Sequence, residues 1–333
     1  MMSKPIVWIS RPFFPDIVDR LRPWFEVRAE TEERSFSPAD LAGRLAGADA
    51  AIVGLAERID ATTIASAPRL RFVANLGVGY NNLDIGALTE AGIGASNTPD
   101  VLNETVADYA WALMLAAARR IGEAERWLRD GQWHGSRFEG WLGADVHGTT
   151  IGILGMGRIG QAIARRASGF RAKVIYHNRS RLAPEIEREY AATYVDKASL
   201  LAASDHLILV LPYTPQNHHA IGEPELKAMK PTATLVNVAR GGIVDDAALA
   251  RALADGTIAA AALDVFEGEP KVHPDLMKLQ NIVLSPHIAS ASRDTRRDMA
   301  ALAVDNVLAA FGHGPDAGRP PTILNPGVLA DAS

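Results

Sequence analysis

The run Ile151-Gly152-Ile153-Leu154-Gly155-Met156-Gly157-Arg158-Ile159-Gly160 carries chemistry in its spacing: a short apolar strand, then G-x-G-x-x-G, then a helical pattern. Gly155 permits a tight turn, Gly157 lets the backbone approach a pyrophosphate, and Gly160 allows close helix–strand packing. The amides at the helix start and its positive dipole end favour the anion. Asn178 stands 18 residues past Gly160, at the tip of a second strand where an NAD-type site carries Asp or Glu. A carboxylate there would repel a 2′-phosphate; Asn178 does not, and Arg179, Ser180 and Arg181 add charge and a donor. The corner predicts a preference for NADP(H), with NAD(H) possible; its plain alternative is a solvated loop. Three further segments place ionisable groups just past apolar runs: Val236–Gly242 with Arg240, Leu263–Pro270 with Asp264 and Glu269, and Ser285–Ser290 with His287. Taken singly these read as an ion pair, a turn residue and a loop histidine.

Such groups need a sheet whose strand ends converge, and the pattern supplies one. Short β-type runs alternate with helical segments, as in parallel sheets covered by helices. The first set is Ile6–Ile9, Glu26–Arg28, Ala50–Val53, Arg71–Leu76 and Gly92–Ala95. The second is Ile151–Leu154, Lys173–Tyr176, Leu207–Leu211, Leu235–Val238, Ala261–Val265 and Ile282–Leu284. Several are continuous apolar runs, as expected of strands buried on both faces. Between the sets, Asp100–Arg120 reads as a long helix connecting two domains, with Asp100 as a cap and Val106, Tyr109, Ala110, Leu113 and Ala117 on one face. An amphipathic helix over Arg293–Phe311 follows, and the Gly- and Pro-rich tail beyond Gly312 reads as an extended strap. The fold class expected is α/β, with two doubly wound parallel-sheet domains. Residues 1–98 and 290–333 would form a substrate domain and 99–289 a nucleotide-binding domain, with the active site in a cleft at the hinge.

The bulk properties narrow the classes. A chain of 333 residues suits two domains, and 48% hydrophobic with 22% charged residues is ordinary globular composition. A net charge of −5 argues against a nucleic-acid partner. The absence of Cys excludes disulfides, thiol nucleophiles and Cys-ligated zinc. After Met1-Met2-Ser3-Lys4-Pro5 the apolar stretch Ile6–Ile9 is too short for a signal peptide or membrane span, so a cytoplasmic enzyme is the default. No metal site is expected: His218 and His219 are adjacent and would point apart on a strand, and no His-Glu-x-x-His run exists.

Together the motifs resemble the D-isomer-specific 2-hydroxyacid dehydrogenases over nearly the whole chain. The carriers are Gly77-Val78-Gly79-Tyr80-Asn81-Asn82-Leu83-Asp84, Asn97-Thr98-Pro99, Glu104–Asp108, Gly155–Gly160, Ala239–Gly242, Asp264-Val265-Phe266 with Glu269-Pro270, and Pro286-His287. Asp145-Val146-His147-Gly148 with Asn178-Arg179 is most similar to the glyoxylate/hydroxypyruvate reductases, including those called 2-ketogluconate reductases. The resemblance implies a Rossmann domain, a flavodoxin-like domain and a homodimer. It implies reduction of a small 2-oxo acid to a D-2-hydroxy acid. Arg240 would grip the carboxylate and carbonyl, His287 would donate the proton, and Glu269 would orient His287. It also implies substrate contacts from Val78, Gly79 and, across a subunit interface, Trp141; Trp133 and Trp141 otherwise read as packing. Cofactor contacts fall to Thr105, Gly155, Gly157, Arg158, Ile159, Gly160, Asn178, Arg179, Ser180, Leu211, Pro212, Val238, Ala239, Arg240, Asp264, His287 and Ser290. Two departures stand out: Asp108 where many relatives have Glu, and Ala289 where Gly is usual.

The runner-up readings are a nucleotide-sensing corepressor of the same fold and a reductase of bulkier acids such as aryl-pyruvates. Formate dehydrogenase relatives carry Gln where Glu269 stands, and phosphoglycerate dehydrogenases favour NAD and often add a regulatory domain.

Overall fold

The computed structural model describes residues 3–136 and 138–330; Met1 and Met2, where the N-terminal reading begins, lie outside them. The chain divides into two compact units, Met1–Leu102 with Ala291–Ser333, and Asn103–Ser290.

In the first unit, β1 (Ile6–Ile9), β2 (Glu26–Ala29), β3 (Ala50–Val53), β4 (Phe72–Asn75) and β5 (Gly94–Ser96) form a parallel sheet in the order β2-β1-β3-β4-β5. That order is flavodoxin-like. Because side chains alternate along a strand, Val7, Ile9, Ile52 and Phe72 face one core while Trp8, Ala51 and Val73 face the other. The first core is closed by Ala303, Val304 and Val307 of the helix Arg293–Ala310. The tail does form a strap: Ile323 bridges Ser96 antiparallel, and Leu324 N donates to Ala95 O at 2.7 Å. The strap leads into a single helical turn, Gly327–Ala330.

In the second unit, β6 (Thr150–Leu154), β7 (Lys173–His177), β8 (Ala192–Tyr194), β9 (His206–Leu209), β10 (Thr234–Asn237), β11 (Ala260–Leu263) and β12 (Ile282–Leu284) are all parallel. The order β8-β7-β6-β9-β10-β11-β12 is the Rossmann order, reversing direction between β6 and β9. Ligands of such sheets gather at the carboxyl ends beside that reversal. The short strand β8 has no counterpart in the sequence reading.

The long helix differs from expectation. It runs Asn103–Ala118, wholly within the second unit, and Asp100 precedes it at φ 70°. Arg120 adopts a left-handed φ of 55°, which stops the helix and starts a second one, Ile121–Arg129, that buries no residue. Among the described residues no helix is long and apolar enough to cross a membrane.

Candidate active site

The G-x-G-x-x-G run occupies the turn between β6 and the helix Arg158–Ala167. Gly155 has φ 102°, and a Cβ there would lie 2.8 Å from Leu211 N; a Cβ at Gly160 would lie 2.7 Å from Gly155 O. Both glycines are therefore required by the protein's own packing. Gly157, the N-cap, is different: a Cβ there would meet nothing within 4 Å. Protein packing does not explain that glycine, whereas a ligand backbone laid over the helix start does. Pro212 follows Leu211 in the loop after β9, and its carbonyl accepts a hydrogen bond from Asn217 Nδ2 at 2.5 Å.

At the corner beyond β7, Asn178 Oδ1 accepts from Met156 N at 2.6 Å, so the amide is built into the fingerprint turn. Arg179 and Ser180 are exposed, and neither side chain has a partner among the described residues. Arg181 does not join them. It is ion-paired to Glu187 at 2.7 Å, and Tyr176 donates to the same carboxylate at 2.8 Å. The hydrogen bonds from Arg181 and Tyr176 hold Glu187 down at about 2. The basic corner thus offers one uncommitted guanidinium, not the two expected.

The loops after β10, β11 and β12 bring the three ionisable residues to one sheet edge. Val238 and Ala239 are buried, and the turn is tied by Ala239 N donating to Asn237 Oδ1 at 3.0 Å and Asn237 Nδ2 donating to Arg240 O at 3.3 Å. Burial lowers the pKa of the Arg240 guanidinium, and the charge of Glu269 opposes that shift. Glu269 accepts from Phe266 N at 2.9 Å through Oε1 and contacts His287 Nδ1 at 2.8 Å through Oε2. Burial would raise the Glu269 carboxyl, but the hydrogen bond and charge of His287, with help from Arg240, hold it below its usual range. His287 has a left-handed φ of 53°, a conformation uncommon outside glycine and characteristic of functional sites. Its Nε2 has no partner among the described residues. One ring nitrogen is held by an acid and the other faces outward, the arrangement a proton donor needs.

Asp264 holds that geometry in place. It is 1% exposed, and its carboxylate accepts from Ser285 Oγ (2.6 Å), Ile288 N (2.8 Å) and Ala289 N (2.8 Å), while its backbone oxygen accepts from His287 N (2.8 Å). Tyr109, raised by burial, adds a hydrogen bond to Ser285. Ser290, half-buried, closes this segment, and Thr105 lies half-buried in the first turn of the helix Asn103–Ala118. Sequence reasoning assigned Asp264 to the cofactor and missed its anchoring of the His287 loop; a buried acid flanked by no cation was the available signal.

In the first unit the Gly77–Asp84 loop follows β4. Its carbonyls are taken: Val78 O accepts from Asn97 Nδ2 (2.7 Å), Gly79 O from Asn75 Nδ2 (3.0 Å), and Gly77 O from Thr98 N (3.0 Å). The backbone N–H groups of Val78 and Gly79 have no partner among the described residues. Two adjacent donors are thus presented for an anion. Asn75, Asn82 and Asn97 tie this turn to its surroundings; Asn82 and Asn97 belong to the motifs named above, whereas Asn75 was not singled out from the sequence.

Three residues stand apart from expectation. Trp141 packs edge-on to Trp127 (5.2 Å) under the Arg120 guanidinium (5.1 Å). Arg120 lines a cavity with Thr234, Ala260 and Ile282, the first residues of β10, β11 and β12, at the sheet edge opposite Arg240, Glu269 and His287. Within its own unit Trp141 is not brought to those residues. His218 and His219 are not on a strand; they follow the 3-10 turn Pro215–Asn217, and φ 52° at His219 folds the rings into a stack 3.9 Å apart. The expectation that they diverge is overturned, because a left-handed residue breaks the alternation that a strand would impose.

The family described as "D-isomer specific 2-hydroxyacid dehydrogenase, NAD binding domain" matches residues 111–289. The chain is 47% identical to a glyoxylate reductase of Thermococcus onnurineus over 331 residues, covering 98% of this chain and 97% of that relative. It is 45% identical to a glyoxylate reductase of Aeropyrum pernix, with 98% of each chain covered. An NADPH-dependent glyoxylate/hydroxypyruvate reductase of Sinorhizobium meliloti, solved with NADP and malonate, superposes with a TM-score of 0.85 at 36% identity, covering 97% of this chain and 98% of that one.

Proposed function

The chain belongs to the D-isomer-specific 2-hydroxyacid dehydrogenases, oxidoreductases acting on CH–OH, and on that premise we propose that it reduces small 2-oxo acids with NADPH. The observation that carries the reading is the Glu269–His287 contact at 2.8 Å, with His287 Nε2 open and Arg240 at the same sheet edge. A bound nicotinamide supplies the hydride for C2 of the acid. The chain's own residues do the rest. Arg240 clamps the adjacent carboxylate and carbonyl oxygens as a planar fork. His287 gives its Nε2 proton to the carbonyl oxygen as charge develops there, and Glu269 stabilises the ring that starts with that proton. The Val78 and Gly79 amides donate to the carboxylate.

The NADPH preference rests on the corner: Asn178 rather than an acid at the tip of β7, its amide fixed by Met156 N, and Arg179 exposed and unpaired. Arg158, Ile159 and Gly160 at the helix start bind the pyrophosphate, and Leu211, Pro212, Val238 and Ala239 line the path of the dinucleotide. Glyoxylate and hydroxypyruvate are the favoured acids, with 2-ketogluconate also accepted, and the protein works as a cytoplasmic homodimer. The dimer reading draws on Ile121, Leu128, Trp133, Phe138 and Leu142, all more than half exposed in one stretch of chain.

The test is kcat/KM for glyoxylate, hydroxypyruvate and 2-ketogluconate, each with NADPH and NADH. Turnover of glyoxylate with at least tenfold preference for NADPH is the expected result, since about 1.5–3 kcal/mol attaches to a hydrogen bond with a charged group. No oxidation of either nucleotide with any of these acids refutes the enzyme reading; equal use of both refutes the corner.

A further inference from the structure

We propose that His218, His219 and Glu267 form a binding site for a divalent transition-metal ion, with Zn2+ the best match to the donor set. Their ligand atoms all lie within 4.8 Å of one another. Both imidazoles turn Nε2 toward the same carboxylate: His219 Nε2 is 2.9 Å from Glu267 Oε2, and His218 Nε2 is 3.8 Å from Glu267 Oε1. Two neutral imidazole nitrogens and a carboxylate oxygen are a ligand set that zinc takes, with water in the fourth place.

The opposite ring nitrogens are also accounted for. His218 Nδ1 is 3.3 Å from Tyr213 Oη, and His219 Nδ1 is 3.9 Å from Asp245 Oδ2. A metal-bound histidine commonly has its far nitrogen facing a carboxylate, carbonyl or hydroxyl that fixes the ring. Here His218 has a hydroxyl within hydrogen-bond reach and His219 faces the Asp245 carboxylate from further off, and each leaves Nε2 for the ion.

The backbone is built to hold this arrangement. His219 is held in the left-handed region at φ 52°, and its N–H donates to Gly242 O at 2.7 Å. Adjacent residues normally send their side chains apart; this conformation stacks the two rings at 3.9 Å and 24°. Glu267 N is anchored on Asp246 Oδ2 at 3.0 Å. Bonds of about 2.0–2.1 Å at tetrahedral angles imply ligand separations of roughly 3.3 Å. The approach required is small, and the half-exposed side chains of His218 and Glu267 are free to make it. A simple His–Glu ion pair joining two loops would account for His219 alone. It would not account for the second ring or for the hydroxyl on its Nδ1.

An ion here would tie the segment after β9 to the loop that carries Glu269, two residues beyond Glu267. The test is titration of the full-length, tag-free protein with Zn2+ by calorimetry, together with the visible spectrum of the Co2+-loaded protein and melting with and without Zn2+. The wild type is expected to take up one saturable equivalent that the His218→Gln/His219→Gln variant lacks, with the Co2+ bands and the Zn2+-dependent rise in Tm lost in the same variant. Tyr213→Phe, which leaves all three ligands in place, should weaken binding by about tenfold. A wild type that binds no more Zn2+ than the double variant overturns the proposal, as does a Co2+ spectrum unchanged by the substitutions.

Discussion

Replacing Glu269 by Gln tests the proton-donor reading most directly. The carboxylate sits 2.8 Å from His287 Nδ1 and keeps its shape in the amide, so the change removes charge rather than volume. At 2.8 Å two unit charges interact by roughly 6 kcal/mol at an effective dielectric of 20 and by about 1.5 kcal/mol in bulk water. The two side chains are 28% and 34% exposed, which places the screened value toward the lower end. A net loss of about 2 kcal/mol corresponds to roughly a thirtyfold fall in kcat/KM. The pH dependence carries a sign. Glu269 is held below the usual carboxylate range, so the contact is complete above that range and is lost only as pH falls through the lowered pKa. Wild-type activity should therefore persist through pH 5 and decline only below about 4.3, the ordinary glutamate value. Glu269→Gln should be slow throughout and lack that acid limb, since nothing titrates at the position. The assay is steady-state reduction of glyoxylate from pH 4 to 9, with circular dichroism at each pH to separate unfolding. A variant within twofold of wild type, or one that keeps the same acid limb, refutes the assignment of Glu269 to the proton donor.

Arg179→Ala should lower the NADPH/NADH ratio of kcat/KM by about tenfold or more, from loss of a charge-assisted phosphate contact, and Asn178→Asp added to it should shift preference to NADH. Arg181→Ala should leave that ratio unchanged, because Glu187 already holds Arg181; a loss equal to that of Arg179→Ala would refute the pairing. Asp264→Asn keeps one acceptor where the carboxylate served a hydroxyl and two amides, and should destabilise the protein by about 2 kcal/mol on urea unfolding while reducing kcat. Gly241→Ala puts a Cβ 1.7 Å from Phe266 O, so backbone must move; a loss of at least about 2 kcal/mol is expected in the same assay.

The strands and the glycine turn were legible because their signals are local. A continuous apolar run such as Ile282–Leu284 can only be satisfied on both faces in a sheet interior, and Gly155 and Gly160 are fixed by contacts within the turn itself. What escaped were features decided at a distance. The edge strand β8 is three residues long and gains its identity only by pairing with β7. The helix Ile121–Arg129 is separated from its predecessor by Arg119 and the left-handed Arg120, a break no propensity marks. Arg181 looked equivalent to Arg179 until Glu187, six residues on, was seen to claim it. The side-chain amides of Asn75 and Asn97 look like those of ordinary turn residues, and only the fold shows that they absorb the carbonyls of Gly77, Val78 and Gly79.

The same distinction explains why the catalytic geometry depends on a residue that touches no substrate in the proposed chemistry. A carboxylate buried like that of Asp264 must find donors or lose its charge. No ion pair to it is seen among the described residues; its donors are a serine hydroxyl and the amides of Ile288 and Ala289, all from the segment around His287. Satisfying the acid therefore requires that segment to curl back over the end of β11, and the curl forces His287 to φ 53°. In that conformation Nδ1 meets Glu269 and Nε2 is left open. The strain at the histidine is thus sustained by the solvation of a neighbouring acid, which couples the stability of the second unit to the aim of its proton donor.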